Sequence, residues 1–145
     1  MVYNQGAFAQ QANRQIILKL TDPATQISQT YQISNTNYTY AKLYDDSQKK
    51  DQEACKVNME LKQDMDQFLL KWISGALKET EGLITIKAAG PGKRSRTIAF
   101  KGGKVATGSE SFMIADSSSY PVMSLYVREL IIDNVSVFSI PKEIK

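Results

Sequence analysis

At 145 residues and 16.2 kDa the chain has room for one hydrophobic core and not for two, because domains run to roughly 100–200 residues. Its 42% hydrophobic and 23% charged residues belong to a folded globule, away from the charge-rich regime of disordered chains, and no apolar run approaches the roughly 18 residues that span a bilayer. The net charge of +3, from 18 Lys and Arg against 15 Asp and Glu, is too small to demand a polyanionic partner.

The count that excludes most is histidine, of which there are 0. Without it no Ser-His-Asp or Cys-His pair can form, and both the commonest metal ligand and the usual neutral-pH base are missing. Carboxylate pairs could still hydrolyse a glycoside if two faced one bond. The local candidates Asp45, Asp46, Asp64 and Asp66 read instead as a solvated loop and a helix start, so no enzyme activity and no cofactor is expected. Cys55 is the one cysteine, which rules out an intrachain disulfide. Residues 1–13 carry neither a basic start nor an apolar stretch, so no cleavable secretory leader is expected.

Residues 16–20 form a short apolar run ended by Thr21, Asp22 and Pro23, the turn chemistry of a strand end. Ile27, Tyr31 and Ile33 then fall at even spacing, which predicts an antiparallel pair with the first run. Residues 35–41 are rich in Asn, Thr and Tyr, and residues 42–53 are mostly polar and charged; the latter are predicted to form a long exposed loop. Cys55, Val57, Met59 and Leu61 alternate with Lys56, Asn58, Glu60 and Lys62, predicting a half-buried strand.

The period then changes. Met65, Phe68, Leu69, Trp72, Ile73 and Ala76 follow helical spacing over about residues 64–77, with Asp64 as N-cap, Gln67 three residues on, and Asp66 in the first turn where the helix dipole favours negative charge. Strands are predicted over residues 83–88 and 94–101 around a Gly90-Pro91-Gly92 turn, over 104–114 after a turn at Gly102-Gly103, with an irregularity at Gly108, and over 122–132 after a connection at 116–119. Four strands with short turns make a meander, so the fold class is mainly β, with one inserted helix.

Among local motifs, Gly90-Pro91-Gly92-Lys93 lacks the Walker pattern and joins two strands, where a phosphate loop leads from strand to helix. Lys93, Arg94, Arg96, Lys101 and Lys104 form a basic tract over residues 93–104 with no intervening acid, which either tracks nucleic acid as an OB-like module does or is a solvated hairpin. Tyr38, Tyr40 and Tyr44 lie in or beside the long loop. Aromatic rings on a protruding segment dock onto another surface or fold back on their own sheet. Asn37-Tyr38-Thr39 and Asn134-Val135-Ser136 match glycosylation acceptors by chance frequency alone, and Trp72 is a core residue.

Lys56-Val57-Asn58-Met59-Glu60-Leu61 passing into Phe68-Leu69-Leu70-Lys71-Trp72-Ile73, followed by Gly82-Leu83-Ile84-Thr85-Ile86, Arg96-Thr97-Ile98-Ala99-Phe100 and Pro121-Val122-Met123-Ser124-Leu125, resembles the haemolysin-coregulated tube proteins (Hcp/TssD) of type VI secretion systems, in their divergent Bacteroides-type form. The resemblance covers about residues 14–132. It implies a β-barrel-like pair of packed antiparallel sheets with a flanking helix, residues 1–13 being an N-terminal extension and 133–145 a C-terminal tail. It also implies a homohexameric ring, rings stacked into a tube, a contractile sheath and spike as partners, and effector proteins in the lumen. The chain would be made in a bacterial cytoplasm and secreted without a cleavable signal peptide or membrane insertion. Tyr38, Tyr40, Leu43 and Tyr44 are then the candidate inter-subunit contacts. A phage-like tail tube is the near alternative, and an OB-like nucleic-acid module the distant one.

Overall fold

Alternating apolar and polar side chains organise this chain into strands that share one interior. The computed structural model describes residues 14–43, 52–92, 95–114 and 120–140. In chain order they form β1 (Gln15–Asp22), β2 (Ile27–Leu43), β3 (Gln52–Leu61), α1 (Gln67–Ser74), β4 (Thr80–Lys87), β5 (Arg96–Ser109), β6 (Val122–Tyr126), β7 (Glu129–Ile132) and β8 (Val135–Ser139). The mainly β, antiparallel architecture with one inserted helix is therefore as the sequence predicts. All eight strands belong to one sheet in the order β4-β1-β2-β3-β6-β5-β7-β8, and a further β4–β5 pairing closes six of them into a ring.

β1, β2 and β3 make one meander, and β4 to β8 make the other wall. They meet along two seams, Gln15 to Thr21 against Lys87 to Glu81, and Lys56 to Glu60 against Tyr126 to Val122. The ring encloses Leu18, Leu20, Val57, Met59, Ile84, Phe100 and Leu125, all nearly or fully inaccessible to solvent. Burying one such side chain contributes roughly 1.5–3 kcal/mol.

Three predicted boundaries are corrected. The segment 35–41, left outside any predicted strand, and Lys42 and Leu43, assigned to the loop, continue β2. The register shifts between Ile33 and Asn35, so the inward positions change from Tyr31 and Ile33 to Thr36 and Tyr38, and the alternation breaks although the strand does not. The predicted turn at Gly102-Gly103 is a bend within a continuous β5. Gly102 takes φ +65°, and a Cβ there would strike the Arg128 guanidinium, so only glycine lets the strand pass. β5 ends at Ser109, short of the predicted Ile114.

The single strand predicted over residues 122–132 is interrupted as β6 and β7, yet the register against β5 runs on across the break: Lys104 faces Tyr126 and Lys101 faces Glu129. Between them the Val127 N–H donates to the Cys55 carbonyl and the Arg128 N–H to the Lys101 carbonyl, so the break is a change of partner: β3 flanks β6, and β8 flanks β7. Of the segment read as a tail, Val135–Ser139 are this β8.

The helix is shorter than predicted, and its N-cap is Asp66, not Asp64. Asp66 has extended backbone and accepts the Leu69 N–H at 3.0 Å, while Gly75, at φ +88°, closes the other end. Gln67 is the first helical residue, so there is no capping box with Asp64 and no acid in the first turn. Asp66 is fixed in this role because its carboxylate also accepts the Tyr31 hydroxyl at 2.9 and 3.0 Å. Leu69 and Trp72 are buried, and the Trp72 indole N–H donates to the Gly103 carbonyl at 3.1 Å, which anchors the helix beside the bend of β5.

Candidate assembly surface

β2 outruns its first neighbour. β1 pairs with it only as far as Ile33, whereas β3 continues to Leu43. Along residues 35–43 the edge of β2 on the β1 side has no strand partner among the described residues, and its amide and carbonyl groups are open to pairing. Of the four predicted contact residues, Tyr38 faces Val57 and is packed against the core, and Tyr40 faces Cys55 with its ring 52% exposed. Leu43 ends the strand opposite Gln52. Tyr44 lies outside the described residues, as do Asp45 and Asp46. Tyr38 and Tyr40, expected in or beside the long loop, are thus in a strand.

The outer faces of β2, β3, β6 and β5 line up in rows across the strands. One row is Asn37, Asn58, Ser124 and Thr107, in which the Asn58 amide donates to the Asn37 carbonyl oxygen at 2.7 Å and the Ser124 hydroxyl to the Asn58 oxygen at 2.6 Å. Asn37, read as a glycosylation match, is therefore engaged in this ladder. The next row is Thr39, Lys56, Tyr126 and Lys104. Beyond it the residues are small, Ala41 and Ala54 on β2 and β3 and Gly102 on β5. The step from tall to small side chains leaves a concavity of about 210 Å3 lined by Ala54, Gly102, Lys104, Tyr126, Arg128 and Ile140, among others. Arg128 is held over Gly102 by an ion pair with Glu79 at 2.9 Å.

Just past β5 lies an apolar triplet the sequence reading placed inside a strand. Phe112 is 79% exposed, Met113 63%, and Ile114 fully exposed. The signal was present in the sequence, since three consecutive apolar residues cannot all face inward from an alternating strand.

The basic tract is interrupted in space by acids absent from its own sequence. Arg96 pairs with Asp133 at 3.2 Å, and Lys101 stands opposite Glu129 in the β5–β7 register; Lys93 and Arg94 lie outside the described residues. Two further acids have structural roles. Asp66 caps the helix, and Asp22 closes the β1–β2 turn by accepting the Ala24 N–H and the Thr25 hydroxyl. No group of three or more His, Cys, Asp or Glu among the described residues could hold a metal ion. Burial pushes the Cys55 thiol up to about 11, which keeps it protonated and unreactive. No helix among the described residues is long and apolar enough to cross a membrane.

No family model matches the sequence, and no curated protein does. Solved structures do match. A chain of the anti-feeding prophage baseplate, determined by cryo-electron microscopy with six-fold symmetrisation, aligns with a TM-score of 0.52 at 8% identity, covering 85% of this chain and 95% of that one. Hcp1 from Flavobacterium johnsoniae aligns with a TM-score of 0.60 at 12% identity over 85% of this chain and 99% of Hcp1. At such identities the likeness is one of fold, and it spans practically the whole of Hcp1: over most of its length this chain has the Hcp fold.

Proposed function

We propose that the chain is the structural subunit of a type VI secretion inner tube, six copies closing into a ring and rings stacking into a conduit for effector proteins. The observation that carries this reading is the alignment of 85% of the chain with 99% of Hcp1. Physical size supports it: a body with a radius of gyration of about 15 Å cannot enclose a wide channel alone, whereas identical copies meeting head to tail can. The unpaired edge of β2 offers backbone groups to a neighbour. The six-fold symmetry of the baseplate neighbour supports six as the number.

In this reading the tube-type domain runs from residue 14 through β8 (Val135–Ser139), and the contractile sheath and spike are its further partners. The subunit is made in the bacterial cytoplasm and secreted from it. Tyr38, Tyr40, Leu43 and Tyr44 meet the adjacent subunit or ring. Light scattering on a size-exclusion column should give a mass near six times 16.2 kDa, and negative-stain images should show annuli. Solitary particles at every concentration would end the proposal. Because Tyr38 packs against the core, the contact is best probed with Tyr40→Ser and Tyr44→Ser together, for which weakened ring assembly or stacking is expected.

The baseplate alignment favours a second reading, a phage-like tail tube. Recovery of the chain only in particles carrying a baseplate, and never free in the medium, would favour that reading. The nucleic-acid alternative predicts a monomer or dimer that binds single strands with an affinity falling steeply with salt.

A further inference from the structure

The apolar triplet and the concavity differ in sign as well as shape. From Lys104 to Arg128 the sequence contains no cation and two acids, Glu110 and Asp116, so the stretch that presents Phe112 and Ile114 is net negative. The concavity has a floor of Ala54 and Gly102, one wall formed by the half-exposed Tyr126 ring, and at its rim the cations Lys104 and Arg128, the latter paired with Glu79, with Glu53 as the one acid lining it. Lys56 stands beside Tyr126 in register, adding a third cation. The pocket is large enough for one aromatic or branched aliphatic side chain.

The two features sit at opposite ends of β6. The triplet follows the end where Ser109 meets Val122, and the concavity lies at the end where Lys104 meets Tyr126, roughly 14 Å of strand away. One copy therefore carries both halves of a contact that it does not close on itself. Two different patches that complement each other make a heterologous, head-to-tail contact, and such contacts propagate into rings or filaments.

We propose that Phe112 of one copy seats in the Ala54–Gly102–Tyr126 concavity of the next copy, with Ile114 packed on its Tyr126 wall and the lysine rim facing the acidic stretch. This rests on the self-assembly reading above and supplies it with a specific joint. A buried Phe ring against a Tyr ring is the aromatic anchor typical of an interface hot spot. The rim charges add on-rate and register more than affinity.

The experiment uses the full chain. Phe112→Ser with Ile114→Ser removes the insert, and Ala54→Trp, at an exposed strand position, fills the socket. Each variant should keep the wild-type circular dichroism and weaken self-association at least tenfold by sedimentation velocity. In a Cys55→Ala background, Ser111→Cys with Lys104→Cys, which keeps the insert, should give a ladder of oligomers with a short bismaleimide, and either cysteine alone should give none. Normal assembly of both variants, or no ladder from the double cysteine chain, overturns the joint while leaving a wild-type ring intact. A wild-type chain that never associates overturns the self-assembly reading itself, and the joint with it.

Discussion

The hydroxyl of Tyr31 and the carboxylate of Asp66 join residues 35 positions apart, and the same carboxylate holds the first turn of α1. Tyr31→Phe removes one bond and should lower stability by about 1 kcal/mol, whereas Asp66→Ala also removes the cap and should cost about 2–3 kcal/mol. Urea denaturation of both single variants and the double would show the two losses failing to add. Phe100 sets a different constraint. Its ring lies where a Cβ on Gly82 would fall, so Gly82→Ala should destabilise by about 1–3 kcal/mol through overpacking, and Phe100→Leu in the same chain should restore part of the loss.

Two buried acids also give a pH signature. Burial raises Cys55 from 9.0 to about 11; burial first, then the Asp66 hydrogen bond and its negative charge, hold the Tyr31 hydroxyl well above the ordinary 10.0. Both groups ionise more readily in the unfolded chain, so each one's stabilisation is complete below its unfolded value and is lost as pH rises above it. Stability should be flat with respect to these groups below about pH 9, fall between 9 and 11 through Cys55, and fall further above 10 through Tyr31. Cys55→Ala should remove the slope that starts near 9 and leave the one that starts near 10, as read from urea midpoints across that range.

At the scale of elements, α1 is attached chiefly through Trp72, whose indole N–H reaches the Gly103 carbonyl. Trp72→Phe keeps most of the ring and leaves that carbonyl without its donor, so a loss of about 1–3 kcal/mol is expected, with hydrogen exchange accelerated in α1 before the strands. The elements also mark what the sequence reveals. β3 was legible because one face of it is wet and the other dry, giving a strict alternation from Cys55 to Leu61, and β1 as a short apolar run ended by turn residues. β2 was legible only as far as Ile33, because the bulge after it inverts the phase, and a reader following period two stops there. Gly102-Gly103 resembles a turn in sequence and is a bend in space, a difference decided by Arg128 and Phe100, both remote from the local pattern. The helix was legible in its period and misplaced at its start, since the choice of Asp66 over Asp64 depends on Tyr31. Of the proposed contacts, Tyr38 and Tyr40 were visible as aromatics in a polar stretch. The concavity was not, because it is built from small residues on three strands that only the register brings side by side.

For the molecule as a whole, the two meanders are joined by pairings between residues far apart in the chain, Gln15 with Lys87 and Lys56 with Tyr126. Such long-range pairing makes folding slow relative to helical proteins of this size. Closure has a further implication for synthesis. When β1, β2 and β3 have left the ribosome, Leu18, Leu20, Val57 and Met59 have nothing to cover them, and no rearrangement of those three strands can shut the gap. The nascent half must wait, sticky on one side, until Leu125 and its neighbours are translated, so a premature stop anywhere before β6 should yield an aggregate and a chaperone client, never a smaller soluble version of the subunit.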